Sequence, residues 1–237
     1  MEDLKNKIYW GEMKNKVVNA DCLEIIGGIP KGAFIISDPP YNQRYHYDDY
    51  GDNLGEQEYR DLLFNVFEGR KSVIIHYPEE TINILATLDL GKCEQVVSWV
   101  YPSNTAKQCR LITWWNCRPN MAKIPQDYKN PNDKRIIKRI ADGKRARGYD
   151  WWQINQVKNV SKKNNKHSCP IPEEVAEKII LSTTNKGDLI VDPFLGSGTI
   201  AVVAKRLGRN FIGIEISKKY CEIAEARIRA IPQTLPL

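Results

Sequence analysis

No apolar run in this sequence approaches the roughly 18 residues needed to cross a bilayer. Residues 1–16 alternate acidic, basic and apolar side chains and lack the apolar core of a secretory signal. Histidine and methionine are scarce, at three each, and six cysteines are scattered without a C-x-x-C pair. That density is too low for a disulfide framework in a chain of 237 residues, so the thiols are read as reduced. Cys109, Cys117, His167 and Cys169 lack the ligand spacing of a zinc site, and no metal is expected. There is no internal repeat. With 42% apolar and 27% charged residues, collagen-like, low-complexity and wholly disordered chains are excluded. The length suits one or two domains with a sizeable core. The expectation is a cytoplasmic protein with no membrane contact.

What is present is unevenly charged. The net charge of +6 conceals one strongly basic segment, residues 116–166, with 14 basic residues against 4 acidic ones. It contains KRIIKR (Lys134, Arg135, Lys138, Arg139), GKRARG (Lys144, Arg145, Arg147) and SKKNNK at 161–166. A basic run is commonly a solvated face. Here Tyr128, Tyr149, Trp151 and Trp152 are interleaved with it, and cations beside flat rings suit a nucleic-acid groove. The competing reading puts at least one of the two tryptophans in the core.

Short β-rich apolar runs recur with helical spacing between them. Strands are expected at 33–37, 72–77, 95–101, 111–115, 188–194 and 210–215, the third and fourth as an antiparallel pair. Helices are expected at 56–67, 171–182, 199–207 and 218–231. Strands alternating with helices imply an α/β fold: one Rossmann-like, mostly parallel sheet with helices on both faces.

Two loops carry chemistry. In LIVDPFLGSGT, a strand passes into a helix through Gly196, Ser197, Gly198 and Thr199, where glycines admit a ligand close to the backbone and free N–H groups open the helix. Glu215 follows 19 residues after Gly196, at the end of the next strand, where an acid can accept bonds from both ribose hydroxyls. The third glycine of GxGxxG is missing and no GK[ST] follows, so the loop suggests a nucleoside without a pyrophosphate. The other loop, Asp38-Pro39-Pro40-Tyr41-Asn42, ends a buried strand that two prolines cannot continue. The prolines fix the backbone so that the Asp38 carboxylate and a main-chain carbonyl can address one target. An exocyclic amine on a base is a poor nucleophile because its lone pair is delocalised. Two acceptors converging on its hydrogens favour the tetrahedral nitrogen that attacks a methyl carbon, and Tyr41 offers a ring on which an extruded base could stack.

DPPYN at 38–42 together with DPFLGSGT at 192–199 resembles the DNA amino-methyltransferases that use S-adenosylmethionine, and the motif order is similar to that of their permuted β-class. The resemblance implies catalytic roles for Asp38, Pro39, Pro40 and Tyr41. It implies cofactor contacts from Asp21 and Cys22 in the adenine-pocket segment, from Asp38, and from Asp192, Phe194, Gly196, Ser197, Gly198 and Thr199, with Glu215 on the ribose. His167 and Ser168 fall in the segment that holds the cofactor's methionine end; Ile171 stands before Pro172 where the family more often has lysine. Residues 1–115 would then be the catalytic part of the core, 116–166 the target-recognition region, and 167–237 the cofactor-binding part. The implied reaction is methylation of adenine N6 in a short site of double-stranded DNA, with a cognate restriction endonuclease and a homodimer as expected partners. Cytosine N4 is the alternative, for which the family usually carries serine in place of Asp38. A catalytically silent DNA-binding protein of the same fold is the reading from another class. Intact Asp38, Tyr41, Gly196, Gly198 and Glu215 argue against it.

Overall fold

The computed structural model describes residues 10–44, 46–47, 50–104, 106–157 and 170–232. Their strands are β1 (Lys16–Asn19), β2 (Phe34–Ser37), β3 (His46–Tyr47), β4 (Tyr50–Gly51), β5 (Lys71–His76), β6 (Cys93–Val100), β7 (Cys109–Trp115), β8 (Trp151–Gln153), β9 (Leu189–Asp192) and β10 (Asn210–Glu215). Their helices are α1 (Trp10–Met13), α2 (Cys22–Ile25), α3 (Glu56–Phe67), α4 (Pro78–Asn83), α5 (Lys134–Ala141), α6 (Glu173–Thr183), α7 (Thr199–Arg206) and α8 (Lys218–Arg229). Every strand and helix expected from the sequence is found, with ends displaced by two residues at most. Of the runs of six residues or fewer, α1, β1, α2, β3, β4, α4 and β8 carry too little periodicity to register, and α5 lies within the basic run that the sequence marks only by its charge.

Eight strands form one sheet in the order β1-β10-β9-β2-β5-β7-β6-β8. The five from β1 to β5 are parallel, while β7 runs against both β5 and β6. Alternate strand residues face opposite layers. Ile36, Val73, Ile75 and Ile190 pack with α6, α7 and α8, whereas Ile35, Ile74, Val191 and Ile212 pack with α2 and α3. Both faces are therefore dry, as a parallel sheet with crossover helices requires.

The topology fixes where a site can form. From β2 the chain winds toward β5, and from β9 it winds away toward β10, so the loops after β2 and β9 diverge at the boundary between those two strands. A crevice opens there at the carboxyl ends of the strands. Because β7 is antiparallel, its first residues, Cys109 and Arg110, come to that same edge.

Two glycines hold the β9–α7–β10 unit tight. Gly198 caps α7 with φ +83°, and a Cβ there would lie 2.7 Å from Ala224 Cβ on α8. A Cβ on Gly213 would lie 2.6 Å from the Leu195 methyls. One glycine lets a helix approach the turn, and the other lets the turn lie on the strand.

Candidate active site

Asp38 follows β2 directly, and Pro39-Pro40 carry the chain out of the ladder. Its carboxylate receives two donors: the Tyr41 hydroxyl on Oδ1, and Arg110 Nη1 at 3.3 Å on Oδ2. Burial raises the Asp38 pKa, and Arg110 and the Tyr41 hydrogen bond offset part of that rise. A carboxylate has about four acceptor positions, so two donors leave room for a third. Arg110 is 4% exposed, and its guanidinium lies 5.2 Å from the ring centre of Tyr41 and 5.3 Å from those of Tyr77 and Trp99. Burial works against its charge, and the surrounding groups, Tyr41 and Asp38 first, more than restore it.

The two prolines are held by a separate relay. The Tyr77 backbone N–H donates to His76 Nδ1 at 3.1 Å, so the proton of this imidazole resides on Nε2. Nε2 donates to the Tyr59 hydroxyl at 2.8 Å, and that hydroxyl donates to the Pro40 carbonyl, also at 2.8 Å. Burial lowers the His76 pKa to about 3, which keeps the ring neutral at ordinary pH. Among the described residues none donates to the Pro39 carbonyl, next to Asp38. Beyond Tyr41, the buried Asp52 carboxylate accepts from the Asn42 and Gln43 amides at 2.7 and 2.9 Å. That grip holds the turn in which Asn42 (φ 55°) and Arg44 (φ 61°) are left-handed. Tyr41 is 7% exposed, its ring 4.6 Å from His76 and 4.8 Å from Tyr77.

These groups form one wall of a cleft of about 500 Å³. The facing wall is built from Asp21, Cys22 and Leu23 after β1, Pro193, Phe194 and Gly196 after β9, and Glu215, Ile216 and Tyr220 at the end of β10. Asn19 straps β1 to β10 by donating to the Glu215 and Ile216 carbonyls at 2.9 and 2.8 Å. The Glu215 carboxylate accepts from the Gly196 amide at 2.8 Å and the Ser217 amide at 2.9 Å. Asp21 caps α2 by accepting from Leu23 N at 2.9 Å, and burial pushes the Cys22 thiol up to about 12. Glu58, Asp61 and Asn65 of α3 complete the lining, so five acids face one base, Arg110.

Sequence-expected residues separate into three groups. Asp21, Cys22, Asp38, Pro39, Pro40, Tyr41, Phe194, Gly196 and Glu215 meet in the cleft. Asp192, Ser197, Gly198 and Thr199 stand behind it. Asp192 Oδ1 accepts from Ser37 Oγ at 2.6 Å and Phe194 N at 3.2 Å, and burial lifts its carboxyl to about 7. Ser197 O and Oγ and Thr199 Oγ1 accept from Arg227 Nη1 at 2.7, 3.2 and 3.2 Å. His167 and Ser168, like Cys169 and the SKKNNK run, lie outside the described residues. Arg110, Tyr59, His76 and Asp52 had escaped sequence reading. A lone polar residue at the tip of an apolar strand was the available signal for His76 and Arg110.

The basic segment leaves the sheet at the edge opposite the cleft, where the Asn120 amide donates to Ser182 O at 2.7 Å at the end of α6. It closes on itself through a Gln126–Ala146 bridge and returns as β8 on the far side of β6. The intervening loop carries α5, in which no residue is buried. Lys134, Arg135, Lys138 and Arg139 form one stripe of that helix, opposite Ile136, Ile137 and Ile140. Lys144, Arg145 and Arg147 are exposed after it. Trp152 is buried against Trp114, whereas Trp151 is 41% exposed beneath Lys129 Nζ at 4.7 Å. Cys109 and Cys117 lie at opposite ends of β7, and among the described residues no group of three or more His, Cys, Asp or Glu is placed to hold a metal ion. No described helix is long and apolar enough to cross a membrane.

A Rossmann-like sheet with β7 antiparallel next to β5, and an acidic cleft over the β2–β9 switch point, is the frame on which the family likeness rests. Residues 33–226 match the family model described as N6/N4 DNA methylase, and the chain belongs to that family. Type II methyltransferase M2.DpnII of Streptococcus pneumoniae is 48% identical over 99 residues, covering 42% of this chain and 36% of that protein. The DNA adenine methyltransferase YhdJ of Escherichia coli K12 is 25% identical over 247 residues, covering 92% and 84%. Among solved structures, the cytosine-N4-specific PvuII DNA methyltransferase superposes with a TM-score of 0.66 at 16% identity, covering 93% of this chain and 87% of that one. M1.HpyAVI in complex with SAM superposes at 0.60 with 24% identity, covering 90% and 98%.

The buried Asp192 makes a stability prediction with a definite sign. Its folded pKa lies above the unfolded value of roughly 3.9, so the charged form is disfavoured in the fold. Stability from this group is intact below about pH 4 and is lost as pH rises toward about 7, by on the order of a few kcal/mol. Asp192→Asn keeps an oxygen to accept from Ser37 and Phe194 and has no charge to bury. Urea denaturation between pH 4 and 8 should show the variant gaining on the parent as pH rises; the His76 contribution, which falls below about pH 6.5, is common to both. Parallel stability curves would refute the assignment.

Proposed function

We propose that this chain methylates the exocyclic N6 amine of adenine in duplex DNA, using S-adenosylmethionine held in the cleft. The observation that carries the reading is the pair of acceptors on the catalytic wall: the Asp38 carboxylate, paired with Arg110, and the Pro39 carbonyl beside it. The cleft also fits the cofactor. Phe194, Leu23 and Ile216 offer apolar surface for an adenine, Glu215 a carboxylate for ribose hydroxyls, and the excess of acids suits a ligand bearing sulfonium and ammonium charges. S-adenosylmethionine supplies an electrophilic methyl group when bound.

The chain's own residues do the rest. Asp38 and Pro39 each accept a hydrogen bond from one amine N–H, which turns the nitrogen lone pair out of conjugation with the ring and toward the cleft; once a carbon–nitrogen bond has replaced the carbon–sulfur bond, the nitrogen sheds one of these protons. The His76–Tyr59–Pro40 relay fixes the second acceptor, and Asp52 fixes the turn that follows. Tyr41 holds Asp38 by its hydroxyl and borders the space for the extruded base. Adenine is favoured over cytosine because an acid stands at position 38, where the cytosine-N4 enzymes resembled by this motif usually carry serine. The name of the Escherichia coli relative supports the same choice. The basic stripe of α5 and the GKRARG loop would hold phosphates, and the Type II designation of the pneumococcal relative supports a restriction endonuclease sharing the site.

The test is methyl transfer from labelled S-adenosylmethionine to duplex DNA, followed by digestion to nucleosides. Label is expected in N6-methyladenine; label in N4-methylcytosine would reverse the choice of base, and no label in DNA would overturn the function. Asp38→Ala should lose at least ~100-fold in transfer while cofactor affinity by calorimetry stays within a few fold.

Phosphate contacts leave a salt signature. Each one lost reduces the slope of log affinity against log salt by roughly 0.9. Replacing Lys144, Arg145 and Arg147 together should flatten the slope by up to about 2.7 with cofactor affinity unchanged. An unaltered slope would make this loop a solvated face.

A further inference from the structure

From the Asp38–Arg110 contact we infer that Arg110 is a positioning residue for the proposed transfer, holding Asp38 as an ionised, correctly oriented acceptor for the target amine. The inference rests on the adenine-methylation reading but concerns a residue that neither motif contains.

Three observations carry it. First, Arg110 is placed by topology rather than by a loop: β7 alone runs antiparallel among the strands beside the cleft, so its opening residues reach the edge where β2 ends. Second, its Nη1 reaches Asp38 Oδ2 at 3.3 Å while its Nε is buried with no partner. A residue chosen to fill space would not keep an unpaired buried donor, since a methionine or leucine fills the same volume without that cost. Third, Tyr41, Tyr77 and Trp99 hold the guanidinium among three ring faces, which suits a delocalised cation and fixes its orientation.

The chemistry explains why such a cation is needed. Only the carboxylate form of Asp38 accepts a hydrogen without offering one back, and the charged groups lining the cleft beside it are acids apart from Arg110; Lys107 lies beyond the Tyr77 ring, 4.2 Å from its centre, and pairs with Glu80. Asp192 stands behind it on β9, while Asp21, Glu58, Asp61 and Glu215 line the same cleft from β1, α3 and β10. His76, the nearest imidazole, is neutral and engaged with Tyr59. Burial favours protonation of Asp38 and leaves its pKa raised on balance. Arg110 is the one basic side chain lining the cleft among the described residues, and with Tyr41 it opposes that rise.

Removing the cation should therefore move the acid limb of the reaction upward in pH. Transfer of labelled methyl to duplex DNA would be measured under single-turnover conditions from pH 5.5 to 9 for the parent, Arg110→Met and Arg110→Lys. Arg110→Met should lose at least tenfold more activity at pH 6 than at pH 8.5, relative to the parent. Arg110→Lys, which keeps the charge without the fork, should return the limb to within about half a unit of the parent while restoring the rate only in part. A uniform loss across all pH values in both variants would make Arg110 a packing residue and overturn the inference. Cofactor affinity by calorimetry and the thermal midpoint are followed in parallel. If Arg110→Met does not fold, Arg110→Lys decides: an acid limb unlike the parent's rejects the inference, and a restored limb with reduced rate supports it. Absence of transfer by the parent would instead count against the proposed function.

Discussion

A hydrogen bond of 2.6 Å, donated by Ser37 Oγ to Asp192 Oδ1, joins the last residue of β2 to the last residue of β9 across 155 positions of sequence. Both side chains are buried. One residue beyond Ser37 is Asp38, and one residue beyond Asp192 begins the Pro193–Gly196 turn. The bond thus lies under the point where the two loops part, and it fixes the height of Asp38 and Pro39 relative to the glycine turn. A shift of one strand past the other by a single residue would move that height by about 3.3 Å and turn alternate side chains to the wrong face. Keeping a carboxyl group buried with one hydroxyl and one amide for company is costly, and burial raises the Asp192 pKa accordingly.

Around this joint the loops of the cleft are held by side chains outside its lining. His76 and Tyr59 hold a proline carbonyl, Asp52 holds the turn amides, Asn19 ties β1 to β10, and Arg227 on α8 grips the Ser197–Thr199 turn. Each is a polar group whose partners are main-chain atoms or near neighbours, so the loops that line the cleft are set by hydrogen bonds from rigid elements. The result is a wall whose side chains are set by the fold's own hydrogen bonds.

How far this was legible in the sequence depends on what each residue contributes. Strands β2, β5, β9 and β10 stood out because continuous Val, Ile and Phe runs mark strands buried on both faces. The glycine turn and the proline pair stood out because their backbone requirements restrict residue choice. Glu215 could be placed by its spacing from Gly196. Arg110 and Tyr59 could not, because their roles exist only once β7 lies antiparallel beside β5 and α3 crosses to cover β2. The basic segment was legible as charge but not as geometry: its departure from the edge opposite the cleft and its return as β8 follow from pairings that periodicity does not encode. Ser197 and Thr199 carry the motif's signature, yet in the fold they brace the turn against Arg227.

The central claim is that residues near 38–41 and residues near 193–215, far apart in sequence, form the two walls of one cofactor cleft. Ultraviolet labelling with methyl-labelled S-adenosylmethionine, followed by peptide mapping, tests it directly. The account predicts label in the peptides that contain Asp38–Tyr41 or Pro193–Gly196, suppressed by excess S-adenosylhomocysteine. Label confined to the 116–157 segment, or insensitive to the competitor, would contradict it.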